Sequence, residues 1–428
     1  MTAPRLNELT AAEVAQRLAL GQATARAVVE ACLEQVARRE AEVMAFAHLD
    51  PDGARAAADE IDRRGAATAP LAGAGLGVKD IIDTADMPTG YGSPIHAGHR
   101  PSADAACVAL ARKAGAIVLG KTVTTEFANI HPGPTRNPHD ATRTPGGSSS
   151  GSAAAVAAMM LPLALGTQTT SSTIRPASFC GVVGFVPGLG EIPVSGVRTA
   201  AQSFDRIGVF ARSVADIALA FNALRGVPVA PPPQPFAPRI GYCRDHLADR
   251  MEPGTAALLD ALALRLSRAG AAVADVAVGA AFTRLSQTHQ AISSFEFLRN
   301  FTYEVEQHWA RISTTLREGR IAHGRACSHA EYRAALRQAM QARAEVGTLF
   351  GGHDVLLAAA AAGEAPRGSA TGDFQFCAIW TVLGLPALSL PLMTGPNGMP
   401  LGAQLLARPG EEAKLLAAAE WVMRHGTG

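Results

Sequence analysis

The sequence predicts an α/β fold. Three observations carry that expectation: short apolar runs alternate with helical patterns, strand-like runs return near the C-terminus, and apolar residues are abundant. Hydrophobic residues make up 48% of the 428 and charged residues 18%, which supplies a large core and excludes a disordered chain. Strand-like runs separated by helices and Gly/Ser/Pro loops are the texture of a sheet covered by helices. The length suits two or three average domains or one large α/β unit. The late return of strands favours one sheet fed by both ends of the chain, hence a single unit over residues 1–428.

Along the chain, residues 1–68 read as a helical segment. Thr10 and Glu13 form a capping-box pattern, and 23–39 and 51–64 continue with helical spacing. The texture then changes, and 69–227 reads as the sheet-forming core. Leu76 to Val78, Ala116 to Leu119 and Leu161 to Leu165 are its strand candidates, with a helix capped by Ser102 before the second and a helix from Ala153 to Met160 before the third. Residues 228–238 hold six prolines and read as a stiff connector. Residues 239–350 read as a more helical insertion: a strand at Arg239 to Cys243, a helix lined by Leu258, Leu259, Leu262 and Leu266 that ends at Gly270, and helical patterns from Ser294 to Leu349. Strands return at Asp354 to Leu357, Ala387 to Leu390 and Gly402 to Leu406, and 351–428 closes on a helix at 411–423.

Charge and composition exclude several functions. With 38 basic and 37 acidic side chains the net charge is +1, which argues against nucleic acid and against a polybasic membrane contact. No run approaches the ~18 to 20 apolar residues of a spanning helix, and no apolar stretch follows a basic start. The six cysteines lie far apart without a CxxC pair and read as buried thiols, so a cytoplasmic location is expected. His96 and His99 form an HxxH pair in a Pro/Gly loop without a marked carboxylate and read as structural. No metal and no cofactor is expected.

Only four of the 38 basic residues are lysines: Lys79, Lys113, Lys121 and Lys414. A lysine can lose its proton in a protein, whereas an arginine does not. Lys113 and Lys414 sit on polar helical stretches and read as surface residues. Lys79 stands among aliphatic neighbours in Leu76 to Ile82, where loss of hydration lowers its pKa and makes it a candidate base. The plain alternative is a strand-end lysine reaching out to solvent.

Two literal motifs fail on context. Gly115 to Thr122 fits GxxxxGK[ST], but its Ala-Ile-Val-Leu interior belongs in a buried strand and not in a phosphate loop. Gly147 to Gly151 fits GxSxG, but a loop leads into Ser149 where the elbow of a Ser-His-Asp hydrolase needs a strand. A third constellation is larger. Pro145 to Ser152 opens a helix, a short apolar run follows, and a second hydroxyl-rich loop spans Gly166 to Pro176. A helix rising ~1.5 Å per residue and a strand returning ~3.3 Å per residue cover matched lengths here, so the two serine loops can meet. Each loop alone reads as a Gly/Ser turn. Together, and with Lys79, they suggest a site.

These residues resemble the amidase signature family: GGSSSGSAAAVAA at 146–158, GTQTTSSTIRPASFCGVVGF at 166–185, GVKDIID at 77–83 and SFDRIGVFARSVADIAL at 203–219. GPTRNPHD at 133–140, DVLLA from Asp354 and WTVLGLPALSLP at 380–391 extend the similarity over nearly the whole chain, and Lys79, Ser148 and Ser172 stand 69 and 24 residues apart, as the family spaces its Lys and two Ser. The resemblance implies a large mixed, mostly parallel twisted sheet flanked by helices on both faces. It implies Ser172 as nucleophile on an amide, Ser148 after a cis peptide bond as proton relay, and Lys79 as base. It further implies an oxyanion hole from the backbone of Thr169, Thr170, Ser171 and Ser172, and substrate contacts from Ser149, Gln168 and His131.

Departures from the family's pattern bear on function. Thr170-Ser171 stands where two glycines are usual, and side chains there can restrict the N–H groups that face the oxyanion. The implied activity is hydrolysis of a small linear amide through an acyl-enzyme. The alternatives are an amidotransferase subunit that passes ammonia to a partner and a catalytically weakened amide-binding protein. Residues 294–326, the loop around His131 and 363–376 are expected as pocket walls, with no basic cluster calling for an acidic substrate. The oligomeric state is open, a homodimer being the common arrangement of soluble enzymes.

Overall fold

The computed structural model describes residues 4–65, 69–227 and 234–427. Residues 228–233 of the expected connector lie outside the described residues, and 234–238 carry no regular structure.

Eleven described strands form one sheet. In chain order they are β1 (Phe46–Leu49), β2 (Gly75–Lys79), β3 (Ile117–Thr122), β4 (Leu163–Gln168), β5 (Val183–Val186), β6 (Arg206–Ala211), β7 (Arg239–Tyr242), β8 (Ala272–Asp275), β9 (Val355–Ala359), β10 (Ala387–Thr394) and β11 (Pro400–Leu406). Their spatial order is β1-β3-β2-β4-β6-β5-β10-β11-β9-β7-β8, so strands from 351–428 lie in the middle of the sheet.

The sheet is mixed, but it is not mostly parallel. Four of its ten pairings are parallel and six antiparallel. Parallel pairs occur where a helix supplies the crossover, in β3-β2-β4 and in β9-β7-β8. β10 and β11 are joined by a short turn and can only pair antiparallel.

Alternation along the strands separates two covered faces. Leu163 and Leu165 of β4, and Val355, Leu357 and Ala359 of β9, join the core built by helices 106–113, 214–224, 255–268 and 412–426. Ala164 packs on the opposite face under helices 150–157 and 174–180. Leu356 and Ala358 pack on that same face under helices 285–300, 329–344 and 375–383.

Local signals match where chemistry is local. Thr10 and Glu13 form the capping box of helix Ala11–Ala19, and Asp50 caps Pro51–Arg64, whose C-terminus stops at Gly65 with φ 65°. Ser102 does not cap the next helix: Ala106–Lys113 starts after Ala105 with no side-chain cap. β3 is buried throughout, which removes the phosphate-loop reading of 115–122. The six cysteines are free thiols, five buried and Cys327 partly exposed. Among the described residues, no helix is long and apolar enough to cross a membrane.

Candidate active site

Lys79 is the last residue of β2 and Gln168 the last of β4, and these strands are parallel neighbours. Side chains just beyond them therefore emerge together at the carboxyl ends of the strands, where open α/β sheets bind their ligands. The first serine loop arrives there because helix Ser150–Ala157 packs tightly on the sheet. A Cβ at Gly151 would overlap the Ala45 carbonyl and the Val123 amide, so only glycine allows that approach.

Within this loop the serines divide by role. Ser152 Oγ donates to Leu165 O at 2.9 Å and lies 2.7 Å from Thr122 Oγ1, and Ser150 Oγ donates to Val123 O. Ser149 Oγ donates to Thr167 O and accepts from Thr167 N, both at 3.3 Å. These three fasten the helix to β3, its following loop and β4. Ser148, which follows a cis Gly147–Ser148 peptide bond, instead meets the lysine.

Lys79 Nζ is 2.7 Å from Ser148 Oγ and 2.7 Å from Thr167 Oγ1. Lys79 and Ser148 have no solvent exposure, whereas Ser172 keeps 9% and lines a cavity, so only the last is reachable by a ligand. Burial pushes the Lys79 amine well below the ordinary lysine value, against the pull of the nearby Asp205 charge. Asp205 is itself pushed up to about 6 by burial, although Thr169 Oγ1, Ala200 N and Ala201 N donate to it.

The two serine loops meet through the backbone: Ser149 N donates to Ser172 O at 3.2 Å. Among the described residues no hydrogen bond joins the Ser172 hydroxyl to Ser148. None takes the backbone N–H of Thr169, Thr170, Ser171 or Ser172 either, and this leaves a run of donors beside the cavity. The two side chains that replace glycines are accommodated there. Neither Thr170 nor Ser171 has a positive φ, so the backbone does not demand glycine.

The cavity has a volume of about 200 Å³, small beside pockets that take drug-sized ligands. The loop Thr169 to Ser172 and Arg175 form one wall. Helix 285–300 with His289, Ser293 and Ser294, then Gly319, Arg320 and His323, form the other; Phe374 and Gln375 border it. The expected walls at 294–326 and 363–376 thus contribute, as does the loop leading to His131 through Ala128, Asn129 and Ile130, whereas Gln168, Ser149 and His131 are not among the lining residues. Gln168 is buried, and its Oε1 accepts from Thr173 N and Ile174 N, capping helix Ile174–Cys180. Ser149 is committed to Thr167, and His131 is exposed and outside the lining.

Several residues here carried no mark in the sequence. His289 Nε2 lies 2.9 Å from Thr169 O and 3.1 Å from Thr170 Oγ1, and the ring stacks on Phe204 at 4.9 Å. Burial pushes His289 down to about 3, so it is neutral and holds the loop as a hydrogen-bonding partner. Arg175 and Arg320 bring two guanidinium groups to a cavity expected to lack a basic cluster. Lys121, read only through the failed phosphate-loop match, is fully buried and donates to Ile82 O and Thr89 Oγ1, with Asp80 at 3.7 Å. His96 has a carboxylate after all, Glu304 at 2.8 Å.

Known proteins share this fold and much of this sequence. The Amidase family model matches residues 27–416. A glutamyl-tRNA(Gln) amidotransferase subunit of Chloroflexus aggregans is 34% identical over 98% of this chain and 96% of its own length. The AtzE subunit of 1-carboxybiuret hydrolase from Pseudomonas sp. (strain ADP) is 32% identical over 95% and 96%. A crystal structure of an amidase superposes with a TM-score of 0.90 at 30% identity, covering 97% of this chain and 99% of that one. With its family-model match spanning nearly the whole sequence and its fold shared with solved amidases, the chain belongs to the amidase signature family.

Proposed function

We propose that the protein hydrolyses the C–N bond of a small linear amide, with Ser172 as nucleophile, Ser148 as relay and Lys79 as base. The observation that carries this reading is the fully buried hydrogen bond between Lys79 Nζ and Ser148 Oγ, directly behind the loop that lines the cavity with Ser172.

A neutral Lys79 draws a proton from the Ser148 hydroxyl, which in turn takes the proton of Ser172 as its Oγ bonds to the amide carbon. On this reading the Ser172 hydroxyl comes within hydrogen-bonding reach of Ser148 Oγ as substrate enters. The carbonyl oxygen gains negative charge and is held by the free N–H groups of residues 169–172. On collapse of the tetrahedral adduct the C–N bond breaks, and the proton travels from Lys79 through Ser148 to the leaving nitrogen. Water then attacks the acyl-enzyme, giving up its proton along the same route and restoring Ser172. Thr167 Oγ1, the second partner of Lys79 Nζ, keeps the amine aimed at Ser148 throughout.

The test is ammonia release from a panel of aliphatic, aromatic and ureido amides. Wild type turns over at least one class, and Ser172→Ala abolishes turnover while leaving the circular dichroism spectrum unchanged. Full activity in that variant rejects the assignment.

A second reading, in which the protein works together with a partner chain, is favoured by the 34% identity to the amidotransferase relative over almost the full length. It predicts that the isolated chain is inert on free amides and gains turnover with an added partner.

A further inference from the structure

The loop that carries Ser172 is hydrogen-bonded on one side only. Each carbonyl from Thr169 to Ser172 has a donor, whereas no backbone N–H of the same four residues has an acceptor among the described residues. Two of the donors are backbone groups: Arg175 N reaches Ser171 O at 3.0 Å, and Ser149 N reaches Ser172 O at 3.2 Å. The other two are side chains from distant stretches of the chain. His289 Nε2, on helix 285–300, donates to Thr169 O at 2.9 Å, and Thr381 Oγ1, on helix 375–383, donates to Thr170 O at 2.9 Å.

Both side chains are themselves held. A carbonyl only accepts, so Nε2 of His289 carries the hydrogen, and the ring stacks on Phe204 with centroids 4.9 Å apart. Thr381 has no solvent exposure and is not among the residues that line the cavity, so it acts on the loop and not on a ligand. Its Oγ1 accepts from Arg206 Nη2 at 3.3 Å, which leaves the hydroxyl hydrogen for Thr170 O, and Arg206 Nη1 is fixed on Pro187 O and Leu385 O. In a trans peptide the C=O and N–H point in opposite directions, and Gly147–Ser148 is the one cis bond among the described residues. A donor on Thr169 O therefore sets where the Thr170 N–H points, and a donor on Thr170 O sets the Ser171 N–H.

We infer that His289 and Thr381 are positioning residues for the oxyanion: each pins one peptide plane of this loop and so aims one N–H, that of Thr170 and that of Ser171, at the carbonyl oxygen under attack. Donors fixed in advance need no reorientation as charge develops on that oxygen. The inference rests on the hydrolase reading of the site.

The experiment combines steady-state kinetics on the best amide of the panel with the rate at which a small fluorophosphonate labels the protein. In labelling, an Oγ–P bond forms at Ser172, fluoride leaves, the hydroxyl proton passes to Ser148, and the phosphoryl oxygen takes the place of the oxyanion. Thr381→Val is close to isosteric and deletes the hydroxyl; His289→Phe keeps a ring on Phe204 and deletes the donor. Folding is checked by circular dichroism, and the His289 variants carry the test alone if Thr381→Val does not fold. The expected result is a fall of about 10- to 100-fold in kcat and in labelling rate, less than for outright loss of an oxyanion donor, with KM little changed in Thr381→Val. Thr381→Ser and His289→Gln, which restore a donor, recover most of the rate. Unchanged rates in the folded variants overturn the inference, as does a loss that neither Thr381→Ser nor His289→Gln restores, or a loss in Thr381→Val carried by KM at unchanged kcat. Wild type that hydrolyses no amide and escapes labelling removes the hydrolase reading and the inference with it, whereas labelled wild type with indifferent variants removes the inference alone.

Discussion

Thr169 Oγ1 donates to Asp205 Oδ1 at 2.6 Å, so the carboxylate that acts on the Lys79 amine through space is tied to the loop that carries Ser172. The proposed base and the proposed nucleophile are therefore linked through one connected group of residues. The connection makes a prediction about pH. On the proposed mechanism turnover requires neutral Lys79 and rises with pH along a limb centred well below the ordinary lysine value. The Asp205 charge favours the ammonium form and raises that pKa. Asp205→Asn removes the charge, so the limb of kcat/KM moves to lower pH; a shift to higher pH contradicts the assignment.

Lys79→Met keeps most of the buried volume and deletes the proposed base. Turnover falls by about 10²- to 10⁴-fold, and the acid limb disappears from the residual activity. The measurement is a pH–rate profile beside a thermal melt, which separates lost chemistry from lost folding.

Thr167→Val removes one of the two partners of Lys79 Nζ. The amine then has a single anchor in a dry site. We expect kcat to fall about tenfold and stability to drop by about 1–3 kcal/mol, read by steady-state kinetics and urea unfolding.

Ser171→Ala tests the other side of the loop that carries Ser172. The Ser171 hydroxyl is buried with no partner among the described residues, although the residue lines the cavity. Deleting the hydroxyl relieves an unpaired polar group and stabilises the protein by about 1 kcal/mol, seen as a higher Tm.

The Lys121–Asp80 pair bears on stability alone. Burial pushes Lys121 down to about 8 and Asp80 up to about 6, each away from its charged form despite their mutual attraction at 3.7 Å. Lys121→Met leaves a buried carboxylate without its cation and costs about 3–5 kcal/mol in denaturant titrations. Adding Asp80→Asn recovers part of that loss.

What the sequence disclosed follows from how local each signal is. Capping at Thr10, the buried run around Lys79 and the two serine loops depend on near neighbours, and all three are legible in the order of residues alone. Four strands were not: β1, β5, β6 and β8. β1 and β8 are four-residue edge strands, and β5 and β6 adjoin loops whose composition hides them. Pairing direction was equally hidden, because whether β6 runs against β4 depends on the path of the irregular stretch after β5. In the site, the signature loops marked Ser148 and Lys79, whereas His289 and Arg320 stand on ordinary helical sequence and reach the cavity only through tertiary packing. Gln168, expected as a substrate contact, is buried with its side-chain carbonyl accepting from Thr173 N and Ile174 N, a packing detail that its sequence position does not disclose.

The two walls of the cavity come from different stretches of chain: one from 128–175, tied into the sheet, and the opposite one from 289–323, laid over it. A substitution on the overlying helices can thus reshape what the cavity admits while the Lys79–Ser148 contact and the loop that carries Ser172 stay in place.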